Sequence, residues 1–232
     1  YFNLGKIMSV FRAHAEYPKY SSIDAVANTA GIQMPLVIIA MSASPAEAGF
    51  LALAARVMQA PMGLIGGAVG QVYLSQAPEA AREGNLKILT LRVLSGLVKT
   101  AVGPILFIGL ISPTIVPLVF GGSWVRAGDL LLMMVPWFAL QVISSPISMI
   151  VYVLNRQRAM LLLTFSGLVL RAGGVLAMSF FCSEYISEYY SASGFLFYLV
   201  CLVYFLKLAG VSIHDFFEIA RNSLKVLIIW VC

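Results

Sequence analysis

The sequence predicts an all-α membrane protein, a polytopic helical bundle of about six transmembrane helices, and three observations point there. First, 60% of the 232 residues are hydrophobic and 11% are charged, with a mean hydropathy of +0.92. That leaves too little polar surface to cover a water-soluble globule. Second, apolar runs of about 20 residues, long enough to cross about 30 Å of hydrocarbon as helix, recur along the chain. Third, Lys and Arg fall mainly in every other connection, as the positive-inside rule requires. A β-barrel would need alternating segments of about ten residues with a polar lumen face, and these runs are longer and continuously apolar.

The spans read as residues 22–43, 49–75, 92–111, 127–152, 159–181 and 193–210. The first carries Asp24, Asn28, Gly31 and Pro35 at helical spacing, hence on one face. The second repeats the pattern with Arg56, Gln59, Gly63, Gly66 and Gly70, and the third with Arg92, Gly96, Lys99 and Gly103. Gln141, Ser145, Ser148 and Tyr152 form the stripe of the fourth; Thr164, Gly167, Arg171 and Gly174 form that of the fifth; the sixth shows none comparable. Two readings apply to these faces: they converge on a hydrated, cationic cavity, or their small residues let helices pack closely. The pairs Gly63 with Gly67 and Gly66 with Gly70 favour packing.

The connections set the orientation. Lys6, Arg12 and Lys19 precede the first span, and residues 44–48 hold no cation. Arg82, Lys87 and Arg92 follow the second span, whereas residues 112–129, read as an outer loop, hold Arg126 alone. Arg156 and Arg158 follow the fourth span, residues 182–191 carry Glu184 and Glu188 without a cation, and Lys207, Arg221 and Lys225 follow the sixth. The cation-rich ends are therefore cytoplasmic. Residues 1–21 read as a cytoplasmic lead-in, 22–210 as the bundle, and 211–232 as a cytoplasmic tail whose apolar end, 224–232, reads as a clipped further helix. The chain begins at Tyr1 and looks like a piece of something longer. Its net charge of +5 is mostly this topology signal and gives no support to nucleic-acid binding.

Three cations, Arg56, Lys99 and Arg171, lie inside the spans. Charge at such depth is costly and usually faces a protein-lined cavity that handles a polar or anionic solute, although a long side chain near a helix end also reaches the interface. Arg171 lies deepest, about 15 Å from either surface at about 1.5 Å per residue. Lys99, which deprotonates more readily than arginine, also suits a proton-linked site. Gln59, Gln141 and Asn28 are the uncharged candidates for the same cavity, and Asp24 is the candidate for carrying a coupling proton or cation, against the alternative that it stabilises a helix N-terminus. Pro35, Pro61, Pro104, Pro136 and Pro146 favour kinks within spans.

Signals for catalysis, metals and cofactors are weak. Cys182, Cys201 and Cys232 share no ligand spacing, and His14 and His214 lie in cytoplasmic segments away from any buried nucleophile. Neither catalytic residues nor a metal site nor a cofactor is expected.

Specific residues resemble a family. Phe120-Gly121-Gly122-Ser123-Trp124, Ala127-Gly128, Val135-Pro136-Trp137, Ser145-Pro146-Ile147-Ser148 and Val153-Leu154-Asn155-Arg156-Gln157-Arg158 look like the C-terminal half of polysaccharide biosynthesis (O-antigen) flippases. These belong to the multidrug/oligosaccharidyl-lipid/polysaccharide exporter superfamily. Tyr17-Pro18-Lys19-Tyr20-Ser21, Ala48-Gly49-Phe50, Arg56-Val57 and the stretch from Gly66 to Tyr73 agree, so the likeness covers about residues 17–175.

The resemblance implies one lobe of a two-lobe, inner-membrane flippase of bacteria, with alternating access to a central cavity. Its implied cargo is an undecaprenyl-pyrophosphate-linked oligosaccharide for O-antigen, capsule or exopolysaccharide. The implied partners are that lipid-linked oligosaccharide, membrane lipid, a missing N-terminal half or a second copy, and a polysaccharide polymerase. Two alternatives remain open. A polymerase or ligase acting on lipid-linked sugars would need a sizeable outer loop, and a drug or small-cation exporter of the superfamily would need buried carboxylates.

Overall fold

A computed structural model describes the backbone of residues 16–231 and the side chains of residues 22–223. Of the residues singled out above, Lys6, Arg12, His14 and Cys232 lie outside the described residues.

Among the described residues every regular element is helical. Helix α1 (Glu16–Ser42) is followed by α2 (Pro45–Arg82) and α3 (Leu86–Leu97). After a π turn, Val98–Val102, comes α4 (Gly103–Phe120); after a 3₁₀ turn, Gly122–Trp124, come α5 (Val125–Ile147) and the short α6 (Ile150–Val153). Then α7 (Gln157–Leu168), a π turn, Val169–Gly173, and α8 (Gly174–Phe181) form one rod, and a 3₁₀ turn, Ser183–Tyr185, leads to α9 (Ile186–Leu208) and α10 (Ile213–Val231). These elements make six helices long and apolar enough to cross a bilayer: Ser22–Ser42, Pro45–Arg82, Leu86–Phe120, Gly122–Val153, Gln157–Phe181 and Ser183–Leu208. The chain is therefore an all-helical, multi-pass membrane protein.

The spans are longer than hydropathy alone suggests. The supposed outer loop 112–129 is mostly helix, because α4 continues to Phe120 and α5 begins at Val125. Pro113 and Pro117, which suggest a loop, sit inside α4. The single Ser112 hydroxyl proton is shared between the Gly109 carbonyl, 2.7 Å, on its own helix and the Gly128 carbonyl, 2.9 Å, across on α5. The sixth span likewise starts before residue 193, since Glu188 enters the helix with Arg126 as its partner.

Helix α5 is the hub: it packs against α2, α4 and α9, while α1 packs mainly along α7 and α2. Leu130, Met134, Phe138 and Ile147 of α5 are buried, as are Leu51, Met58 and Tyr73 of α2. The Tyr73 hydroxyl shares a buried hydrogen bond with the Thr90 hydroxyl, 2.9 Å, linking α2 to α3. At the outer end Arg126 reaches Glu47 at 3.0 Å and Glu188 at 2.6 Å, tying the starts of α2, α5 and α9. At the other end, Gly84, Asn155 and Gly210 make the turns with φ of 74°, 53° and 69°, a left-handed conformation suited to glycine and asparagine. There Lys87 lies 2.7 Å from Asp215 and pins α10 beside α3. The hydrogen bonds from Lys87 and then Ser212 hold the Asp215 carboxyl down at about 2.

Two stretches share one plan. A 12-residue helix (α3, α7) ends in a five-residue π turn, a further helix follows, then a three-residue 3₁₀ turn, then a 23-residue helix (α5, α9). The sequence repeats Ser-Gly-Leu-Val at each π turn, as Ser95-Gly96-Leu97-Val98 and Ser166-Gly167-Leu168-Val169. A π turn takes an extra residue into the helix and is frequent at functional sites. Lys99 sits in one of them and Arg171 in the other.

The α4–α5 crossing gives a direct test. A Cβ at Gly128 would lie 2.7 Å from the Ser112 carbonyl oxygen and 2.9 Å from Pro113 Cα, so backbone must move. Gly128→Ala is expected to cost about 1–3 kcal/mol, lowering Tm by about 5 °C in a thermal unfolding scan. Gly96→Ala, where a Cβ meets nothing within 4 Å, is expected to lose no stability.

Candidate functional site

Among the described residues the most enclosed charge is Arg171. Arg171 lies about 21 Å from the start of its span at Gln157 and about 15 Å from the end at Phe181, at about 1.5 Å per residue. It is 2% exposed, too deep for its head to reach water by stretching. In place of a carboxylate, aromatic rings surround it: the guanidinium carbon lies 4.7 Å from the Phe197 ring centre, 5.0 Å from that of Trp137 and 5.3 Å from that of Tyr198.

Local sequence makes room for these rings. A Cβ at Gly194 would overlap the Trp137 indole, and one at Gly167 would overlap the Phe197 ring, so each ring lies flat on a helix backbone. Tyr190 meets Trp137 edge-on, 5.2 Å between centres. The Tyr189 hydroxyl donates to the Leu170 carbonyl within the π turn, 3.0 Å, and Ser191 donates to the Met133 carbonyl, 3.1 Å, holding α9 to α5.

Magnitudes decide what this enclosure means. Cation–π contacts contribute about 0.5–2 kcal/mol each, whereas removing an ion from water costs several kcal/mol even after relaxation. The rings offset part of that cost, and Nε and Nη2 of Arg171 have no hydrogen-bond partner among the described residues. Two donors on a buried cation are thus left open to an acceptor, and charge-assisted hydrogen bonds to an anion are the strong kind.

A cavity of about 430 Å³ opens in front of it, lined by Arg56, Gln59 and Gln141 as well as Arg171, with Thr29 and Gln33 from α1 and Tyr190 and Tyr198 from α9. Among the described residues no acidic side chain lines it. A second cavity of about 390 Å³ continues between α2 and α5, and Gln59 and Gln141 line both. The Gln141 side-chain oxygen is buried without a partner among the described residues.

The candidate residues thus separate. Arg171, Arg56, Gln59 and Gln141 come together. Asn28 is exposed and lines neither cavity; Thr29 and Gln33 of the same helix line the first. Lys99 is exposed in the other π turn, against which α10 packs, and lines neither cavity. Asp24 is 8% exposed and lies within α1 rather than in its first turn, because the helix begins at Glu16, so stabilising a helix start is not its role. Its Oδ1 has no hydrogen-bond partner among the described residues.

The sixth span, which carries no polar stripe comparable to the others, supplies most of the enclosure. Its signal is aromatic and small: Tyr190, Gly194, Phe197 and Cys201 fall at i, i+4, i+7 and i+11, one helix face.

If Arg171 were structural, replacing it would unfold the bundle; a receptor arginine is a stability liability. Arg171→Met is therefore expected to leave Tm unchanged or raise it, since buried ionic groups often yield equal or greater stability when replaced by apolar ones. A fall of more than about 5 °C, roughly 1–3 kcal/mol here, would make the arginine a structural element.

Comparison with known proteins bears on the whole chain. No curated protein matches the sequence. Among solved structures, the fold is similar to "Lipid II flippase MurJ, inward closed conformation", with a TM-score of 0.68 at 14% identity. The likeness covers 99% of this chain and 49% of that one, so the chain spans about half the length of that flippase. Residues 3–129 match the family described as polysaccharide biosynthesis protein. The chain belongs to the polysaccharide biosynthesis protein family.

Proposed function

We propose that the chain is one lobe of a flippase that carries undecaprenyl-pyrophosphate-linked oligosaccharide repeat units across the bacterial inner membrane for O-antigen, capsule or exopolysaccharide. The ring-enclosed guanidinium of Arg171, hydrogen-bonded to the Tyr198 side chain but with Nε and Nη2 free of partners among the described residues, carries this reading. A pyrophosphate brings negative charge and acceptor oxygens into a region where lipid supplies no compensation. Arg171 is held ready at the cavity floor, and Arg56, exposed on the same cavity, meets the cargo from α2.

Alternating access needs a second lobe, so the partner is the other half of a longer protein or a second copy, with a polysaccharide polymerase receiving the product. Asp24, a buried carboxylate without a partner for one oxygen, is the group through which an ion gradient would drive the cycle. A small-cation exporter would place carboxylates in the cavity, and its lining holds none. A polymerase or ligase would need outer-face structure to hold its chemistry. Between α4 and α5 only Gly121–Trp124 is left for it, the supposed 18-residue loop being helix. No catalyst is proposed.

Complementation tests this reading. The gene in its native, full-length form, placed in a bacterium lacking its own flippase but making the matched sugar, is expected to restore surface polysaccharide. Arg171→Gln at equal membrane level is expected to reduce that restoration at least about tenfold, a loss of roughly 1.4 kcal/mol in cargo stabilisation. Failure of the wild type would overturn the proposal, and equal rescue by both forms would remove Arg171 from it.

A further inference from the structure

The second cavity differs in chemistry from the first. Among the described residues no charged side chain lines it; its polar groups are the amides of Gln59, Gln71 and Gln141 and the Ser145 hydroxyl. Each amide offers two donors and one acceptor, and the hydroxyl offers both functions. That mixture matches sugar hydroxyl and acetamido groups and has nothing with which to neutralise an anion. The apolar remainder of the wall, Met62, Val142 and Met149 among it, suits the C–H faces of a sugar ring.

Close helix packing does not explain all four glycines on this face of α2. Gly66 and Gly70 do abut Pro146, with an added Cβ at 3.9 Å and 3.6 Å from it. A Cβ at Gly63 or Gly67 meets nothing within 4 Å, so these two keep space open. The space, about 390 Å³, is of the size that takes a small-molecule group. The Gln141 side-chain oxygen in its wall is buried with no partner among the described residues, and the adjoining cavity ends on Arg171, 2% exposed and with Nε and Nη2 likewise without one. Gln59 and Gln141 stand in the wall of both cavities, so one extended ligand reaches from one to the other.

Resting on the flippase reading, we infer that this cavity is a subsite for the neutral sugar residues nearest the pyrophosphate, bound through uncharged amides while Arg171 and Arg56 hold the phosphates. It selects against a charged sugar at that position. A uronic acid or other anionic sugar there would leave its charge facing amides alone, at a desolvation cost that no cation in that wall offsets.

The test measures binding to the purified full-length protein with two probes, a polyprenyl pyrophosphate without sugar and the same lipid bearing one N-acetylhexosamine. Wild type is expected to bind the glycosylated probe about tenfold more tightly. Gly67→Leu, which fills the cavity, and Gln71→Leu, which removes an exposed amide without filling it, are each expected to erase that difference while leaving the bare probe within about twofold. Arg171→Gln is expected to weaken both. Equal affinity of wild type for the two probes, or variants that weaken both probes alike or neither, would overturn the subsite and leave the flippase reading standing. Binding of neither probe to folded wild type would overturn both. If Gly67→Leu fails to fold, Gln71→Leu decides alone, because its side chain is exposed and makes no part of the core.

Discussion

A guanidinium held inside an apolar bundle without a carboxylate is the constraint on which the rest of this structure depends. The solution is geometric. A π turn carries Arg171 inward, glycines at 167 and 194 let two rings lie on the backbone, and Tyr198 closes a third side. A carboxylate partner would satisfy the charge permanently and leave nothing for an anionic cargo. Rings do part of that work and leave two of the arginine's hydrogen-bond donors free, which is the arrangement the proposed anionic cargo would use. Substituting Arg171 by lysine would keep the charge but lose the planar group that stacks on these rings.

Around this residue the bundle is arranged with α5 as a shared wall. Trp137 and Gln141 of that helix face the cationic cavity, and Gln141, Val142 and Ser145 face the amide-lined one. At the outer end Arg126 ties α5 to α2 and α9, the two other helices that bring Gln59 and Tyr198 to the site. The ion triad is partly exposed, so salt weakens it. Its effect is positional: it sets the starts of three cavity helices relative to one another, and errors there propagate along rods of 23 residues or more.

How much of this was legible in the sequence depends on the signal. Hydrophobic length announced the six spans, and depth read from the sequence singled out Arg171. Yet in the folded spans Lys99 lies about 20 Å from the nearer end and Arg171 about 15 Å, so enclosure and not depth sets Arg171 apart. The span ends differ from the reading of 112–129 as an outer loop and of 193 as the start of the sixth span. Pro113 and Pro117 stay within α4, and Glu188 enters α9 because Arg126, 62 positions earlier, meets it. Lys99 and Arg171 looked alike as mid-span cations, and even share the Ser-Gly-Leu-Val stretch beside a π turn. What separates them is tertiary: α1 packs along α7 and its π turn and helps enclose one, whereas the other remains exposed. The aromatic enclosure escaped notice because rings at helical spacing in a membrane span read as ordinary core. Only the glycines facing them, on other helices, show that the rings are placed for the arginine.

Capture of cargo at Gln59, the residue shared by the two cavities, examines the account most directly. With a photo-cross-linking phenylalanine derivative at position 59 of the full-length protein in cells making lipid-linked glycan, irradiation is predicted to give a covalent adduct bearing both glycan and polyprenyl pyrophosphate. The same substitution in an Arg171→Gln background is predicted to give little or none. Contradiction would come from a protein that folds and reaches the membrane yet yields no glycan adduct at position 59, while the same group at Leu118, exposed on the bundle's surface, captures membrane lipid.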